Sequence, residues 1–580
     1  MIRIVGIISL LLLGTFLAVG QERLLIPTVD SAGIDYRSNG ASLDSTDAIN
    51  VGAINLRPAG GFAQIYEHNL ARNLYESPAG FSYLSSPYRT TVKRTPLPYL
   101  GFQYAFGAGN QAVNVDYHHF ITEKSHYHFR YHRRVSDGLL RNSSFTLNDV
   151  HLLVHHQKKS WRTSLDAYYG GYDYEENGGI TSDADIGVLD IDFIPVNKSN
   201  ANSLVRKVDI YWQNYKDVYR DSILAHGFKH QTRYELVRRK FEEAPVLGVG
   251  YTNIFIDSNR TRDHFQTPSI SNGVGYFFSS SFLEVDGTLN HRYWRNQNLG
   301  IYRDTTELFL HSNLWMKIAH LELRNEFYFN TLGALGEFYN RSSATLPLSS
   351  KFNVHGRLHF DNRLPLPYQR FHSANNLQWE LAELNTQQIL HIRGGASYGD
   401  KTKINADFNW TTVTNGLFFI DEEWRQDSIG AISVGDFTLS SSLKWRNFYF
   451  YPTVTLRFNT DNFAYQPAIS TRNRIAFKKG FFEGESLIIS YGLDVGYDFG
   501  HQHLMHNHLL NTMDITSLEN VTPDLLRLNV FAAMEIDQFR LFLRAENVDY
   551  FINDPKARMD PNYTLMPFIM RLGVTWDFFN

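Results

Sequence analysis

The sequence predicts an all-β chain: a transmembrane up-and-down antiparallel β-barrel of even strand number, about 18 with 16 the next choice, after a short N-terminal periplasmic extension. Three observations carry this. The chain opens on a short basic and apolar leader, repeats hairpins that alternate apolar with charged side chains, and ends on an aromatic-rich strand. After the leader no apolar run reaches the roughly 20 residues that a membrane-spanning helix needs. Barrel strands need no such run, because they dilute lipid-facing residues with polar ones.

The leader comes first. Arg3 supplies the positive charge, Ile4 to Leu17 form the apolar stretch, and Ala18-Val19-Gly20 offers small residues for cleavage before Gln21. Residues 1–20 therefore read as a secretory signal peptide, and the absence of a following Cys argues against a lipoprotein. Residues 21–95 are richer in turn-forming stretches such as Arg57-Pro58-Ala59-Gly60-Gly61 and show little sustained alternation, so they read as a periplasmic extension or partial plug. An energised transporter is expected to need a longer plug and a larger barrel. Residues 96–580 read as the barrel.

From about Leu97 onward the period is two. Tyr127, Phe129 and Tyr131 share one face, while His126, His128, Arg130 and His132 share the other. Trp161, Leu165 and Tyr169 alternate with Arg162, Ser164 and Asp166; Leu358 and Phe360 oppose Arg357 and His359; Phe408 and Trp410 oppose Asp407 and Asn409. Leu526, Val530 and Ile536 alternate with Arg527, Asn529 and Glu535, and a tight turn leads to Phe539 and Leu541 set against Arg540 and Arg544. Longer polar intervals read as extracellular loops: Glu175–Ser203, Asp257–Pro268, Leu366–Gln388, Asp421–Gly435 and Gly500–Leu525.

In the last strand Met566, Phe568, Met570, Leu572, Val574, Trp576 and Phe578 occupy one face, while Arg571, Gly573, Thr575 and Asp577 lie on the other. The pattern of Arg571, Gly573, Trp576 and Phe578 resembles the terminal assembly signal of bacterial outer-membrane barrels. This strand is expected to close the barrel against the first one, near Leu97–Phe106.

Composition narrows the function classes. Aromatics are 14% of the chain, which suits girdles at two membrane interfaces. Zero Cys removes disulfides and thiolate chemistry, and a formal charge of −4 is too small to point to nucleic acid. Charges on the inner face need water or partners. That reading implies a wide wet lumen of about 16–18 strands, lined by His126, His128, Arg130, His132, Arg162, Asp166, Arg357, Asp407, Arg527, Glu535, Arg540, Arg544 and Arg571. The arginines form a cationic ladder unless carboxylates such as Asp116, Glu322, Glu326 and Glu546 pair with them.

His126, His128 and His132 share a strand face, but residues two apart on a strand lie about 7 Å from each other. A metal site there would need ligands from adjacent strands, and a polar wall is the simpler reading. A second cluster, His501, His503, His506 and His508, falls in a loop and reads as ordinary loop composition. No metal site or cofactor is assigned. No G-x-S-x-G elbow or H-E-x-x-H motif is present, so no catalytic residues are assigned and an enzyme is the least favoured class.

Glu176-Asn177-Gly178-Gly179-Ile180, Pro96–Gln111 and the terminal Arg571–Asn580 resemble the "putative porin" family of Bacteroidota outer membranes. The resemblance implies an outer-membrane barrel acting as a pore and carries no catalytic residues. The resulting expectation is passive diffusion of small hydrophilic solutes through a multi-pass barrel in the outer membrane of a Gram-negative bacterium. Its expected partners are membrane lipid, the barrel-assembly machinery and the solutes. The alternative is a structural or export-accessory barrel serving secretion or surface-lipid traffic.

Overall fold

A computed structural model of the chain describes residues 98–579, with breaks at 123, 139, 183–184, 245–252, 382, 400–402, 421–422, 427–430, 460–467, 500–504, 508, 511, 515–523, 553–562 and 565–566. The expected signal peptide at 1–20, the expected extension at 21–95, and His501, His503 and His508 lie outside the described residues, as does the side chain of His506.

Among the described residues one antiparallel sheet of 22 strands forms the barrel, and three two-stranded hairpins lie in its loops. It begins with β1 (Tyr99–Gly107), β2 (Asn110–Thr122), β3 (Ser125–Ser136), β4 (Phe145–Lys158) and β5 (Trp161–Glu176). Five long strands follow: β6 (Ala201–Arg220), β7 (Leu224–Glu243), β8 (Thr261–Ser280), β9 (Leu283–Asn298) and β10 (Ile301–Ile318). Shorter strands complete the circuit, ending with Leu525–Ile536, Phe539–Glu546 and the terminal strand Ile569–Phe579. The terminal strand pairs with β1, from Tyr99 opposite Phe579 to Phe106 opposite Leu572, and this pairing closes the barrel. Closure leaves no sheet edge, as hydrocarbon requires of any spanning sheet.

The strand number corrects the expected 18, and also 16. Part of the excess comes from strands whose outer face is interrupted by polar residues. Phe338–Pro347 puts Asn340, Ser342 and Ala344 on the same face as Phe338. Asn325 of the neighbouring strand donates to Ser342 Oγ at 2.8 Å and also to Asn340 Oδ1, so this outer polar patch is satisfied by hydrogen bonds rather than by alternation. The expected loops also contain strand: short hairpins lie within 366–388 and 500–525, one strand of a third lies within 421–435, and barrel strands reach in as well. Thr261–Pro268 belongs to β8, and Ile432–Gly435 opens the strand Ile432–Trp445.

Turns and loops sort to opposite ends. The end holding both barrel termini carries tight turns such as those at 159–160, 281–282, 319–320, 446–447 and 537–538, the periplasmic pattern. The other end carries the long connections at 177–200, 364–386, 500–524 and 547–568. The strands β6 to β8 are 20 residues each, about twice what a barrel strand needs to cross a bilayer. They rise above the membrane and give the long loops a wall to pack on. Tyr368, Leu377, Leu417, Phe419, Trp424, Leu509 and Leu510 from three loops bury themselves against Ala201 and Phe241. A second cluster joins Leu140, Ile180, Ile186 and Ile194 to Tyr563 of the last loop. Between loop and strand top, Lys198 Nζ donates to Glu243 Oε1 at 3.1 Å, and burial pulls the Lys198 ammonium below its usual range. Described parts of these loops thus fold onto the strand tops.

Candidate lumenal transport surface

Alternation decides which side chains point inward, and register decides what they meet. At the closing seam, the apolar face of the terminal strand is exposed on the outer surface, with Met570 and Trp576 both near 45% accessible, while Arg571 is 0% exposed on the inner face. The Arg571 guanidinium forks onto Glu546, with Nε to Oε1 at 3.1 Å and Nη2 to Oε2 at 2.8 Å. Arg544, the cross-strand partner of Arg571, reaches Asp494 at 3.3 Å and Glu546 at 3.7 Å. Arg474 donates to the same Asp494 at 2.6 Å. Gly573 is small for a stated reason: an added Cβ would run into the Phe542 ring and lie 2.9 Å from the Tyr104 carbonyl oxygen.

The histidine-rich sector spans β2 to β5. His126, His128, Arg130 and His132 point inward from β3, and their neighbours differ. His128 Nε2 lies 2.5 Å from Asp116 Oδ1. His126 stacks on Phe120 and sits 5.1 Å from the His155 ring. His132 Nδ1 is 3.5 Å from Asp149. Arg130 stands opposite Asp116 on one side and His151 on the other. Asp166 accepts from His151 Nε2 at 2.7 Å. The three β3 histidines do not converge on one point.

Arg162 is held in a box on the inner face. It donates to Asp217 at 2.9 Å and lies 5.2 Å and 4.9 Å from the Tyr215 and Phe277 ring centres. Asp407 accepts from Arg393 and from His355, both at 2.9 Å. Arg357 is exposed on the inner face opposite Arg393. Arg527 lies 3.4 Å from Asp498, which also holds Arg472 at 2.9 Å. Glu535 stands opposite Arg540 across the tight turn. Most of the expected cationic ladder is thus locked into mixed-sign pairs.

Several members of this wall escaped sequence reading. Buried Asp209 holds half-buried Arg233 at 2.8 Å, and Lys229 with Asp286 at 2.8 Å is a buried pair, all on β6 to β9. Their signal was present as charge inside long period-two runs, but pairing depends on strands tens of residues apart.

The profile of the family described as "Putative porin" matches residues 68–580. The chain belongs to that porin family. The match begins upstream of the first strand, within the segment read as the extension. Among curated proteins none matches the chain. Among solved structures, this porin-family chain is similar to the FrpB iron transporter from Neisseria meningitidis (F3-3 variant), with TM-score 0.55, 12% identity, and 88% of this chain and 83% of that one covered. It is also similar to the copper transporter OprC, with TM-score 0.57, 10% identity, and 84% and 82% covered. The siderophore receptor PirA from Acinetobacter baumannii gives TM-score 0.55 and 9% identity over 83% and 80%. At these identities the likeness is one of fold. The fold agrees with the family on a multi-pass barrel of the outer-membrane type.

Proposed function

We propose that this barrel passes small hydrophilic solutes across the outer membrane by passive diffusion along its polar inner wall. The observation that carries the reading is that wall itself. Around the circuit, inward positions hold pairs of opposite sign with a solvent-reachable member, as in Arg393 with Asp407, Arg472 with Asp498 and Arg341 with Asp361. Such a surface offers polar solutes exchangeable partners without a strong net charge of either sign. The expected anion preference of a free arginine ladder is therefore weak. Asp494 and Asp498 each neutralise part of two guanidiniums.

A second reading has its own observation. A lumen of 22 strands would be very wide if open, and barrels of that size usually hold a plug. Inner-wall groups such as His151 and Arg571 are fully buried, and side chains of three loops pack against the tops of β6 and β7. These features favour a gated route, and they remove barrel size as an argument against energised uptake. Reconstitution of the full chain into planar bilayers separates the readings. Stable ohmic conductance supports passive diffusion. A barrel sealed at all voltages defeats it, and favours gated transport or an export-accessory role.

A further inference from the structure

The inner wall near the periplasmic end contains a convergence of side chains that solute passage does not require. His118 on β2 and His128 on β3 are cross-strand partners, and both point inward. Their rings stack with centres 3.9 Å apart and planes 9° from parallel. Asp116, two residues back on the same face of β2, turns its carboxylate toward both. Its Oδ1 lies 3.0 Å from His118 Nε2 and 2.5 Å from His128 Nε2. The three ligand atoms all fall within 4.8 Å of one another.

Protons serve this arrangement poorly. Charging both imidazoles sets two like charges face to face beside one carboxylate. Leaving both neutral with Nε2 donating to Asp116 strands two Nδ1 lone pairs, and both Nδ1 atoms are buried without a partner among the described residues. The neighbouring imidazole that could share the load is engaged elsewhere, because His151 donates to Asp166 at 2.7 Å.

We propose that Asp116, His118 and His128 form a lumenal binding site for a borderline divalent transition-metal ion, of which Zn²⁺ is the type. The proposal is independent of whether solutes pass by diffusion. Two neutral imidazoles and one carboxylate supply three ligands of the kind that zinc takes at about 2.0–2.2 Å. Tetrahedral coordination at those lengths sets ligand atoms roughly 3.3 Å apart, and the stacked rings turn apart on binding so that both Nε2 lone pairs aim at one ion. Accessibility divides the roles. The imidazoles are buried, with side chains 9% and 1% exposed, whereas the Asp116 side chain is 44% exposed. The ion comes from the lumen past Asp116, and the fourth position is left for water. Two nitrogen ligands disfavour Mg²⁺ and Ca²⁺, which take oxygen. Beside the site, Tyr99 stands 5.8 Å from the His118 ring and donates to Asp577 of the terminal strand at 2.7 Å. The site thus abuts the seam that closes the barrel.

The test titrates Zn²⁺ alone into the full chain folded in detergent, by calorimetry against a competing chelator. The wild type is expected to bind one equivalent more than H118N/H128N, and D116N to weaken that equivalent at least tenfold. H126N/H155N removes two nearby histidines outside the site and is expected to leave it intact. A hundredfold excess of Mg²⁺ should not displace the ion. Equal Zn²⁺ binding by wild type and H118N/H128N overturns the proposal, as does loss of the same equivalent in H126N/H155N. Should H118N/H128N fail to fold, the first equivalent of Cu²⁺ bound by wild type is read by electron paramagnetic resonance. Nitrogen hyperfine structure from two imidazoles supports the site, and an oxygen-only spectrum overturns it.

Discussion

Replacing Glu546 by Ala should damage the closing seam far more than replacing the whole ion pair by apolar residues. Arg571 is fully buried, and the Glu546 side chain is 4% exposed, so neither charge is appreciably screened by solvent. Removing the carboxylate leaves Arg571 buried beside Arg544, its cross-strand partner, which also reaches Asp494 at 3.3 Å. Breaking one side of a buried pair costs about 3–5 kcal/mol, whereas substituting both partners by apolar residues of similar volume is often nearly neutral. The Arg544 repulsion places Glu546→Ala toward the upper part of that range. Arg571→Met combined with Glu546→Leu should fall within about 2 kcal/mol of wild type. Guanidinium unfolding of the detergent-folded barrel, followed by tryptophan fluorescence, measures both. A single variant within about 1 kcal/mol of wild type, or a double variant as unstable as the single, would refute the claim that Arg571 is a desolvated charge held by Glu546.

Other predictions rest on separate contacts. Gly573→Ala pushes a methyl group into the Phe542 ring, and should cost about 1–3 kcal/mol of overpacking; a combined Phe542→Leu should recover much of it in the same unfolding assay. Trp576→Asp with Phe578→Asp puts charge on the outer face, where the direct cost is below the ~2–4 kcal/mol of a basic residue at mid-membrane. The larger effect should be poor assembly, and normal outer-membrane levels by immunoblot would contradict an assembly role for the terminal strand. Arg162→Lys keeps the charge beside Asp217 but loses the planar fork between Tyr215 and Phe277, for an expected loss of about 1–2 kcal/mol. An unchanged midpoint would reduce the aromatic box to incidental packing.

Alternation is a local property, and the sequence alone determined what alternation controls. It sorted Met570, Leu572, Val574 and Trp576 from Arg571, Gly573, Thr575 and Asp577 on the last strand, and that strand does pair with the one beginning at Tyr99. It also placed the loops near 177–200, 364–386 and 500–524, because long polar intervals interrupt a period of two. Strand number was not local. Phe338–Pro347 carries Asn340 and Ser342 on its outer face, satisfied by Asn325 across the register, so the apolar signal of Phe338 and Leu346 is interrupted. The partners of the inner charges were hidden for the same reason. His126, His128 and His132 share a face and look equivalent in sequence, yet only His128 meets Asp116 and His118, because those two arrive from β2 in one particular register. A side chain's direction follows from its own strand, but its neighbour follows from the alignment of two strands, and only the closed tertiary structure sets that alignment.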